Sequence, residues 1–579
     1  MFRAIRRVME EHPDTKAIYP IHMNPKVRKA AHEELDGCDR VHIIEPLDVL
    51  DFHNFLAASH LILTDSGGIQ EEAPSLGKPV LVMRDTTERP EGVAAGTLKL
   101  VGTEEDVIYR EFSRLLSDEV EYAAMSHASN RRIGMLLRVR WGEWRQIARL
   151  DLDLSDPNGR PYKTVVLAGE NGTGKTTILD TLSTFLNLDT IEPFELIEYE
   201  ASGQHVTIRP SSEHPEYGWH DRSVEGSDNW NRITSNRNNQ PGTIDADPFD
   251  LRGYGCVYSR ARSGFSTEPI KSSTTQQLDD SKHIDDRDDD YTSIKQLLVD
   301  VEAQDSSDFF ELGRKQGNVS YPDFEPSSRI SRFRAAFNGF FDSLTFEGVD
   351  NNDPNEKRVV FRKHGVDVSI DDLSTGEKQV VFRGAQLLRN SGNLDGGVVL
   401  IDEPELSMHP KWQQKVLSFY EGLFSHGGSQ LAQLVVATHS EYVVRSALER
   451  PDDVLVVVLG DTGLGVTARR VSAPYSLPTI TAAETNYHAF GVASVDYHIQ
   501  LYGALQGKIG VSSVKACDQY IENSPLYDPL RHRKPSFFKS YSYETLSTYI
   551  RNAIDHPDNG NTFTDGELET SINLLIDLL

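Results

Sequence analysis

The sequence predicts an α/β protein with three regions: a Rossmann-like region at the N-terminus, a larger α/β region that contains a phosphate loop, and a small α-helical region at the C-terminus. Three observations predict this fold class. Helical and strand patterns alternate up to about residue 128. An apolar strand at Thr164–Ala168 leads into a glycine-rich loop and then a helix, and the pattern turns helical after Pro478. Alternating strands and helices are typical of parallel sheets.

Length and composition limit the interpretation. A chain of 579 residues is too long for one hydrophobic core, and ordinary domain sizes indicate about three to five units. The formal net charge of −29 argues against general coating of nucleic acid and restricts any such contact to a local basic patch. Three isolated cysteines, no leader and no apolar run of about 18 residues predict a cytoplasmic protein without membrane contact.

The first 128 residues predict a parallel sheet with helices around it. A helix is expected at Phe2–Glu11, and strands are expected at Ala17–Ile21, Val41–Ile44, Leu61–Thr64 and Pro79–Met83. The loop after the third strand contains two glycines and leads into a helix, which suits an anionic or diphosphate group. A strand-to-helix turn also uses glycine for steric reasons alone, so both interpretations stay open.

Two stretches of this region carry a resemblance to a known family. Tyr19–Pro25 and Leu61–Pro90 resemble the C-terminal half of non-hydrolysing UDP-N-acetylglucosamine 2-epimerases, which is one half of a GT-B fold. The family's N-terminal domain, with its acid and base carboxylates, is missing, so we expect no epimerase turnover and at most weak UDP binding. The resemblance implies a remnant UDP site made of Phe52 near the uracil, Ser66, Gly67, Gly68 and Glu72 at the diphosphate and ribose, and Arg89 at a phosphate.

The second region contains the pattern G-x-x-x-x-G-K-T at Gly169–Thr176, between a strand and a helix predicted at Thr176–Leu186. In this setting the pattern predicts a nucleotide site, because glycines let backbone N–H groups converge on the β-phosphate, lysine adds charge, and threonine can ligate Mg²⁺. We expect ATP to contact Gly169, Asn171, Gly172, Thr173, Gly174, Lys175, Thr176 and Thr177, with Thr176 also a ligand of Mg²⁺.

Two later strands end in polar side chains suited to phosphate chemistry. The strand Gly396–Ile401 precedes Asp402, which would hold Mg²⁺ through its water shell, and Glu403, which would orient or deprotonate the attacking water. The strand Leu434–Thr438 precedes His439, which can donate to the γ-phosphate and couple it to the catalytic carboxylate.

The remaining motifs resemble those of ATP-binding-cassette ATPases. Leu373–Gln379 resembles their signature loop, with Thr375 in place of the usual glycine, and Glu405–Pro410 resembles the loop that touches the partner subunit. The motif order is similar to that of the SMC, RecF and OLD-like (AAA_21-type) heads. Residues 135–480 are therefore identified as an ABC-type P-loop ATPase domain with a polar insertion at about 187–345.

This resemblance implies a head-to-tail homodimer that closes on two ATP molecules. In such heads the signature loop grips the γ-phosphate of the opposite subunit's ATP, a role that would fall to Ser374, Gly376 and Glu377. Ser374 and Glu377 also fit an ordinary helix cap. The position of the Gln-bearing loop of these ATPases is left open.

Residues 481–579 predict a small helical bundle, with helices at Tyr487–Leu505, Val514–Ile521, Tyr543–Ile554 and Asp565–Leu579. Arg551 and His556 resemble the R-x4-H motif of HEPN-type ribonucleases, in which the histidine acts on the 2′-hydroxyl or leaving group and the arginine steadies the phosphate. A helix C-cap supported by the same two side chains is the alternative. The basic stretch Arg531–Lys534 is a candidate contact for RNA or DNA, or a surface turn.

Three functional hypotheses follow. The first is an SMC/RecF-like ATPase whose ATP-driven dimer regulates a C-terminal RNase, or a partner nuclease, in phage defence. The second is an ATP-driven DNA-binding or repair clamp whose C-terminal helices are an interaction module. The third is a UDP-GlcNAc 2-epimerase-related protein whose catalytic domain is missing.

Overall fold

The computed structural model divides the chain into two compact units, Met1–Arg132 and Ile133–Leu579. The structure describes the chain except for residues 48, 68, 71–72, 74–77, 88–92, 94–96, 119–120, 123–124, 126–133, 227–228, 240, 262–266, 280, 282, 286–290, 317–319, 326–327, 354–355, 395, 427–428, 464, 472–475 and 539.

The first unit contains short parallel strands and amphipathic helices, as predicted. Strands β1 (Ala17–Pro20) and β2 (Val41–Ile44) pair with each other, and a second parallel group joins β3 (Ile62–Thr64), β4 (Val80–Val82) and β5 (Leu98–Leu100). Strand β5 was not predicted, because its residues Leu-Lys-Leu lack the continuous apolar run that marks β3 and β4 in the sequence. The helices span Phe2–Glu11, Pro25–Leu35, Val49–Ala58 and Glu105–Ser117.

A seven-stranded sheet is the centre of the second unit. The strands are β8 (Thr164–Gly169), β13 (Cys256–Ser259), β14 (His283–Asp285), β18 (Val398–Asp402), β21 (Gln433–Thr438), β22 (Val454–Asp461) and β23 (Val466–Val471). Their order across the sheet is β14-β13-β18-β21-β8-β22-β23, and paired neighbours are parallel except for the antiparallel β22–β23 pair.

Both faces of this sheet are covered. Alternate residues of β8 enter two different hydrophobic cores: Val166 and Ala168 belong to one, and Val165 and Leu167 to the other. Strands buried on both faces are continuously apolar, which is why β8, β18 and β21 were recognisable from sequence. The helices of this region span Lys175–Leu186, Pro241–Ala246, Tyr291–Gln316, Tyr321–Phe324, Ser331–Phe340, Thr375–Arg389, Pro410–Leu423 and Glu441–Leu448.

Two antiparallel sheets flank the central one. The first has the order β12-β11-β10-β9-β6-β7, with β6 (Gly134–Trp141), β7 (Asp151–Asp153), β9 (Phe194–Ala201), β10 (Gln204–Pro210), β11 (His220–Val224) and β12 (Asn231–Ile233). The second is a meander of β15 (Leu344–Asp350), β16 (Arg358–Lys363) and β17 (Val366–Ser369). A two-stranded ribbon joins β19 (Ser425–His426) and β20 (Ser429–Gln430).

The segment predicted as a polar insertion, residues 187–345, also contributes to the core. Strands β13 and β14 lie in the central sheet, with β13 next to β18, and Leu297, Phe333 and Phe337 belong to one of the two cores. The sequence hides this contribution because β13 is a four-residue strand in the midst of polar loops.

The C-terminal region is helical, as predicted, but includes a β-hairpin. The helices pack around a core that contains Tyr497, Leu501, Ile550 and Leu575. They span Ala482–Phe490, Val495–Ile509, Val514–Glu522, Pro529–His532, Leu546–Asp555 and Asp565–Leu578, and the hairpin joins β24 (Arg533–Phe538) to β25 (Tyr541–Thr545).

Two of the predicted C-terminal helices differ from the observed ones. The helix expected at Tyr487–Leu505 is two helices, because Gly491 takes a left-handed conformation (φ +69°) and caps the first of them. Tyr543 lies in β25 rather than in a helix, and the next helix begins only after Thr545, whose hydroxyl accepts a hydrogen bond from the Thr548 N–H.

No helix within the described ranges combines the length and the apolar character needed to cross a membrane.

Candidate functional site

The functional groups predicted from separate motifs meet at one edge of the central sheet. Strands β8, β21 and β18 are parallel neighbours, and their register pairs Ala168 with Thr438 and Ala437 with Asp402. Carboxyl ends of parallel strands meet at the same edge of a sheet, where α/β proteins bind ligands. The phosphate loop, His439 and the two carboxylates therefore lie side by side.

The phosphate loop has a backbone that needs glycine. Gly169 and Gly174 have φ values of +143° and +85°, in the region that side chains disfavour. A Cβ atom on Gly169 would lie 2.4 Å from the carbonyl oxygen of Leu459. Of the other predicted ligands, Asn171 and Gly172 are exposed, Thr173 is buried, and Thr177 accepts a hydrogen bond from Gln146 at 2.8 Å. The loop has the shape and the helix N-terminus that a phosphate group requires.

Lys175 bends back over this loop. Its Nζ donates to the carbonyl oxygens of Gly169 and Glu170, both at 2.8 Å, and the residue is only 5% exposed. Burial lowers the pKa of Lys175 to about 8, although the nearby carboxylates of Asp402 and Glu403 act in the opposite direction. The ammonium is thus held at the loop, with acidic groups beside it.

Thr176 and Asp402 form a pair of oxygen donors. The Thr176 hydroxyl donates to Asp402 Oδ2 at 2.9 Å. Burial raises the pKa of Asp402, and the hydrogen bond from Thr176 lowers it in part. A hydroxyl and a carboxylate in contact are hard oxygen ligands of the kind that Mg²⁺ prefers, so these residues fit the ion.

Glu403 and His439 approach each other across the site. Glu403 Oε1 lies 3.4 Å from His439 Nε2, and both side chains are about one-third exposed. Burial, followed by the charge of Lys175, lowers the pKa of His439, which favours the neutral imidazole at neutral pH. Glu403 has a φ of +46°, an uncommon conformation for a residue with a side chain. Such strained positions are frequent at functional sites.

Arg383, which no sequence motif singles out, holds the main chain at the two carboxylates. Its guanidinium donates to the carbonyl oxygens of Glu403 at 2.8 Å and Asp402 at 2.6 Å, and to the hydroxyl and carbonyl oxygens of Ser259, both at 3.0 Å. Arg383 is 1% exposed. An arginine between apolar residues on a buried helix face requires such partners, and this was the available signal.

Glu405, which the sequence places only in a loop expected to touch the partner subunit, is also part of the site. Its Oε1 accepts hydrogen bonds from the Thr438 hydroxyl at 2.7 Å and from the His439 N–H at 2.9 Å. Burial raises the pKa of Glu405. The side chain joins the loop after β18 to the end of β21 and thereby fixes the main chain of His439.

The predicted signature loop begins the helix Thr375–Arg389. Ser374 and Glu377 form a capping box, in which Glu377 Oε2 accepts from the Ser374 N–H at 2.9 Å and from its hydroxyl at 2.7 Å. Ser374 and Glu377 therefore have the geometry of a helix cap, which was the alternative interpretation of this motif. Ser374 and Thr375 are exposed, while a Cβ on Gly376 would lie 2.8 Å from the carbonyl oxygen of Ser407. The loop can present Ser374 and Thr375 to a partner and also cap its own helix.

The structure describes only part of the predicted UDP site. Ser66 and Gly67 follow β3, and the Ser66 N–H donates to the Thr64 hydroxyl at 3.0 Å. Phe52, on the helix Val49–Ala58, packs at the edge of a small hydrophobic core. The predictions for Gly68, Glu72 and Arg89 lie outside the described residues.

Arg551 and His556 occupy the end of the helix Leu546–Asp555. Arg551 forms an ion pair with Asp555 at 2.6 Å and donates to Asn552 Oδ1 at 3.0 Å. His556 is the C-cap residue, and its N–H donates to the carbonyl oxygen of Asn552. These contacts are those of a helix terminus, and RNA cleavage stays a prediction.

The fold and the site of the second unit define a P-loop ATPase-type domain. Residues 165–445 match the family model described as "AAA domain, putative AbiEii toxin, Type IV TA system". Residues 1–131 match the family model for UDP-N-acetylglucosamine 2-epimerase. The chain therefore joins a partial epimerase-like region to an AAA_21-type ATPase domain, and both predicted resemblances are confirmed.

Individual relatives match the N-terminal region strongly. The UDP-N-acetylglucosamine 2-epimerase of Bacillus subtilis (strain 168) is 66% identical over 130 residues, which are 22% of this chain and 34% of that protein. The Escherichia coli (strain K12) enzyme is 54% identical over 127 residues, with the same shares. The chain thus spans about a third of the length of these curated relatives.

Solved structures match each of the two regions. The UDP-GlcNAc 2-epimerase from Neisseria meningitidis bound to UDP-GlcNAc is 49% identical over 22% of this chain and 35% of its own, with a TM-score of 0.22. An SMC head bound to the C-terminal winged-helix domain of ScpA covers 58% of this chain and 98% of its own at 12% identity and a TM-score of 0.34. That similarity is too distant to carry a functional assignment.

Proposed function

We propose that the second unit binds and hydrolyses ATP at the edge of the central sheet formed by β8, β21 and β18. The observation that carries this proposal is the convergence of the phosphate loop with Asp402, Glu403 and His439 at the carboxyl ends of adjoining strands. The match of residues 165–445 to an AAA family model supports it.

Each residue of the site would have a separate role in ATP binding or hydrolysis. Lys175 and the main-chain N–H groups of the loop bind the phosphates of ATP. Thr176 and Asp402 would hold Mg²⁺, which when bound supplies positive charge to the phosphate oxygens. Glu403 orients the attacking water and accepts its proton, because its carboxylate is partly exposed and lies beside His439. Neutral His439 can donate a hydrogen bond to the terminal phosphate.

The site of one chain would be completed by the signature loop of a second chain. Ser374 and Thr375 are exposed at the N-terminus of a long helix, where backbone N–H groups favour anions. We therefore propose a head-to-tail homodimer that closes on ATP and opens after hydrolysis, and that this cycle regulates the C-terminal region or a partner nuclease in phage defence.

Loss of the divalent cation should end ATP turnover, and Asp402→Asn should raise the Mg²⁺ concentration that half-maximal turnover requires by about tenfold or more. The amide keeps the volume of the carboxylate but removes its charge, and a hard cation loses its main attraction. Phosphate release measured over a Mg²⁺ titration, with and without EDTA, tests this. The matched control is Asp342→Asn, because the Asp342 side chain is 85% exposed and pairs with Lys415 at 3.2 Å. Turnover by the wild type in excess EDTA would contradict the proposal.

A second proposal concerns RNA at the C-terminal region. The hairpin of β24 and β25 exposes Phe537 (73%) and Tyr541 (57%), and exposed Arg531 precedes it. Exposed aromatic rings beside cations are typical of surfaces that stack unpaired bases. This observation favours RNA as the partner of the C-terminal region, whereas the assignment of cleavage to Arg551 and His556 rests on their R-x4-H pattern alone.

Incubation with single-stranded RNA or tRNA should give cleavage by the wild type and none by His556→Ala. Intact binding of RNA by the variant, measured by fluorescence anisotropy, would show that the loss is chemical. His426→Ala is a control for unspecific effects of removing a histidine, because His426 lies in the separate β19–β20 ribbon. If neither protein cleaves while ATP turnover is intact, the ATP-driven clamp without its own nuclease becomes the better hypothesis.

The first unit contains about a third of the epimerase relatives' length, and we propose that it catalyses no epimerisation. Its loop after β3, with Ser66 and Gly67, would bind UDP weakly at most.

A further inference from the structure

A lysine from the neighbouring meander is bonded to the signature loop. Lys363 is the last residue of β16, and its Nζ donates to Glu377 Oε1 at 2.6 Å. The other oxygen of Glu377 accepts from the N–H and the hydroxyl of Ser374, at 2.9 and 2.7 Å. Hydrogen bonds therefore connect the Lys363 ammonium, through the Glu377 carboxylate, to the exposed Ser374.

The chain fixes this lysine in place. After β16, His364 and Gly365 both take positive φ values, +50° and +82°, and the chain returns as β17. Strand β17 leads directly into the signature loop through the short turn Ile370–Asp372. Lys363 and Ser374 are thus on adjacent parts of one folded segment, and their link through Glu377 does not depend on a long flexible connection.

Glu377 poses an electrostatic problem for the proposed function. The residue is buried, at 4% exposure. Burial alone would raise the pKa of its carboxyl, but hydrogen bonds from Lys363 and Ser374 outweigh this effect and hold the pKa below its usual range, so the group stays ionised. A negative charge one helical turn from the position where a γ-phosphate should dock repels that phosphate. In addition, the Ser374 hydroxyl is already committed to this carboxylate.

We propose that Lys363 is a positioning residue of the composite ATP site: it neutralises Glu377 and so allows Ser374 to turn its hydroxyl toward the γ-phosphate carried by a second copy of the chain. This inference rests on the proposed ATP-driven dimer. The Lys363 side chain is about one-third exposed, whereas that of Glu377 is 5% exposed. The Lys363 side chain is therefore partly open to solvent, as Ser374 is, whereas the Glu377 carboxylate is covered.

The test compares variants in the Glu403→Gln background and measures the ATP concentration at which half of the chains are dimeric, by light scattering after size-exclusion chromatography. Lys363→Met should raise this concentration by about tenfold, within the usual range of coupling between charges in contact. Lys363→Met combined with Glu377→Gln should bring it back to within about threefold of the parent, because no unpaired carboxylate is left to repel the phosphate.

Lys357→Met is the matched control, because Lys357 belongs to the same meander region but bonds Asn351 Oδ1 at 2.8 Å instead of the signature loop. Binding of ATP to each monomer should be the same in all variants, since the phosphate loop is unchanged, and thermal unfolding will show that each variant is folded. A merely structural role for Lys363 would also be rescued by Glu377→Gln, but the rescue would then appear in the unfolding temperature as well, because an unpaired buried carboxylate destabilises the fold. A positioning role predicts that Lys363→Met keeps the unfolding temperature of the parent and still needs more ATP to dimerise.

The outcomes separate this inference from the function on which it rests. If the Glu403→Gln parent does not dimerise with ATP, the proposed dimer and the role of Lys363 both fall. If the parent dimerises and Lys363→Met dimerises equally well, only the role of Lys363 is overturned. Failure of the double variant to recover also overturns it.

Discussion

Lys175→Ala is expected to weaken ATP binding by about 100-fold or more, which at ordinary ATP concentrations abolishes turnover. The wild-type ammonium is held over the loop by the carbonyl oxygens of Gly169 and Glu170. It can exchange these neutral acceptors for charged phosphate oxygens, which adds direct attraction between opposite charges. Alanine removes this gain and leaves Asp402 and Glu403 to repel the phosphates. Titration with a fluorescent ATP analogue measures the effect.

The control for this variant is Lys163→Ala, an exposed lysine just before β8, which should bind ATP as the wild type does. Lys175 also gives a second readout. Since burial lowers the pKa of Lys175 to about 8, and phosphate favours the ammonium form, ATP binding takes up a proton. Wild-type affinity should therefore fall as the pH rises from about 7 to about 9, and this dependence should be weaker in the alanine variant. Unchanged affinity in Lys175→Ala would contradict the assignment of the phosphate loop.

The parts of the site that the sequence predicts are those encoded locally. The phosphate loop, the pair Asp402 and Glu403, and His439 each follow an apolar strand that is recognisable from its own residues. Parallel strands place such positions at one edge of a sheet, so the fold class alone predicts that they meet. In the structure Thr176 contacts Asp402, and His439 lies beside Glu403. The motifs and the parallel order of the strands are enough to predict these two pairs.

The supporting residues could not be predicted in the same way, because their partners are distant in the chain. Arg383 bonds Ser259, 124 residues before it, and the main chain at Asp402. Glu405 bonds Thr438 and His439, 33 and 34 residues after it. Neither contact follows from a local pattern, since a buried arginine or glutamate shows only that some partner must exist.

The C-terminal β-hairpin was not predicted for a different reason. Residues 540–543 alternate serine and tyrosine, which is a strand pattern of period two. The residues of the following helix, Leu546–Asp555, have a strong helical pattern. The predicted helix was continued back from them and wrongly included Tyr543. A helix start at Thr545 was available in the sequence, because a threonine there can cap the helix, as the structure shows.

Glu403→Gln should bind ATP but hydrolyse it about 100-fold or more slowly, and it should accumulate as an ATP-bound dimer. Glutamine keeps the size of glutamate and can still accept a hydrogen bond, but it cannot accept the proton of the attacking water. The backbone at this position, with φ of +46°, is held by Arg383 through the carbonyl oxygen of Glu403, which the substitution does not touch. Loss of turnover would therefore come from the missing carboxylate and not from a displaced strand end.

Two measurements on the same preparation separate an effect of Glu403→Gln on hydrolysis from an effect on dimerisation. Phosphate release reports hydrolysis, and light scattering after size-exclusion chromatography with ATP and Mg²⁺ reports the dimer. Glu449→Gln, an exposed glutamate just after the helix Glu441–Leu448, is the matched control and should turn over ATP as the wild type does. Normal hydrolysis by Glu403→Gln would show that another group activates water. Slow hydrolysis by a chain that stays monomeric with saturating ATP would keep Glu403 as the general base but reject the composite site, because each ATP would then be bound and hydrolysed without a signature loop from a second copy.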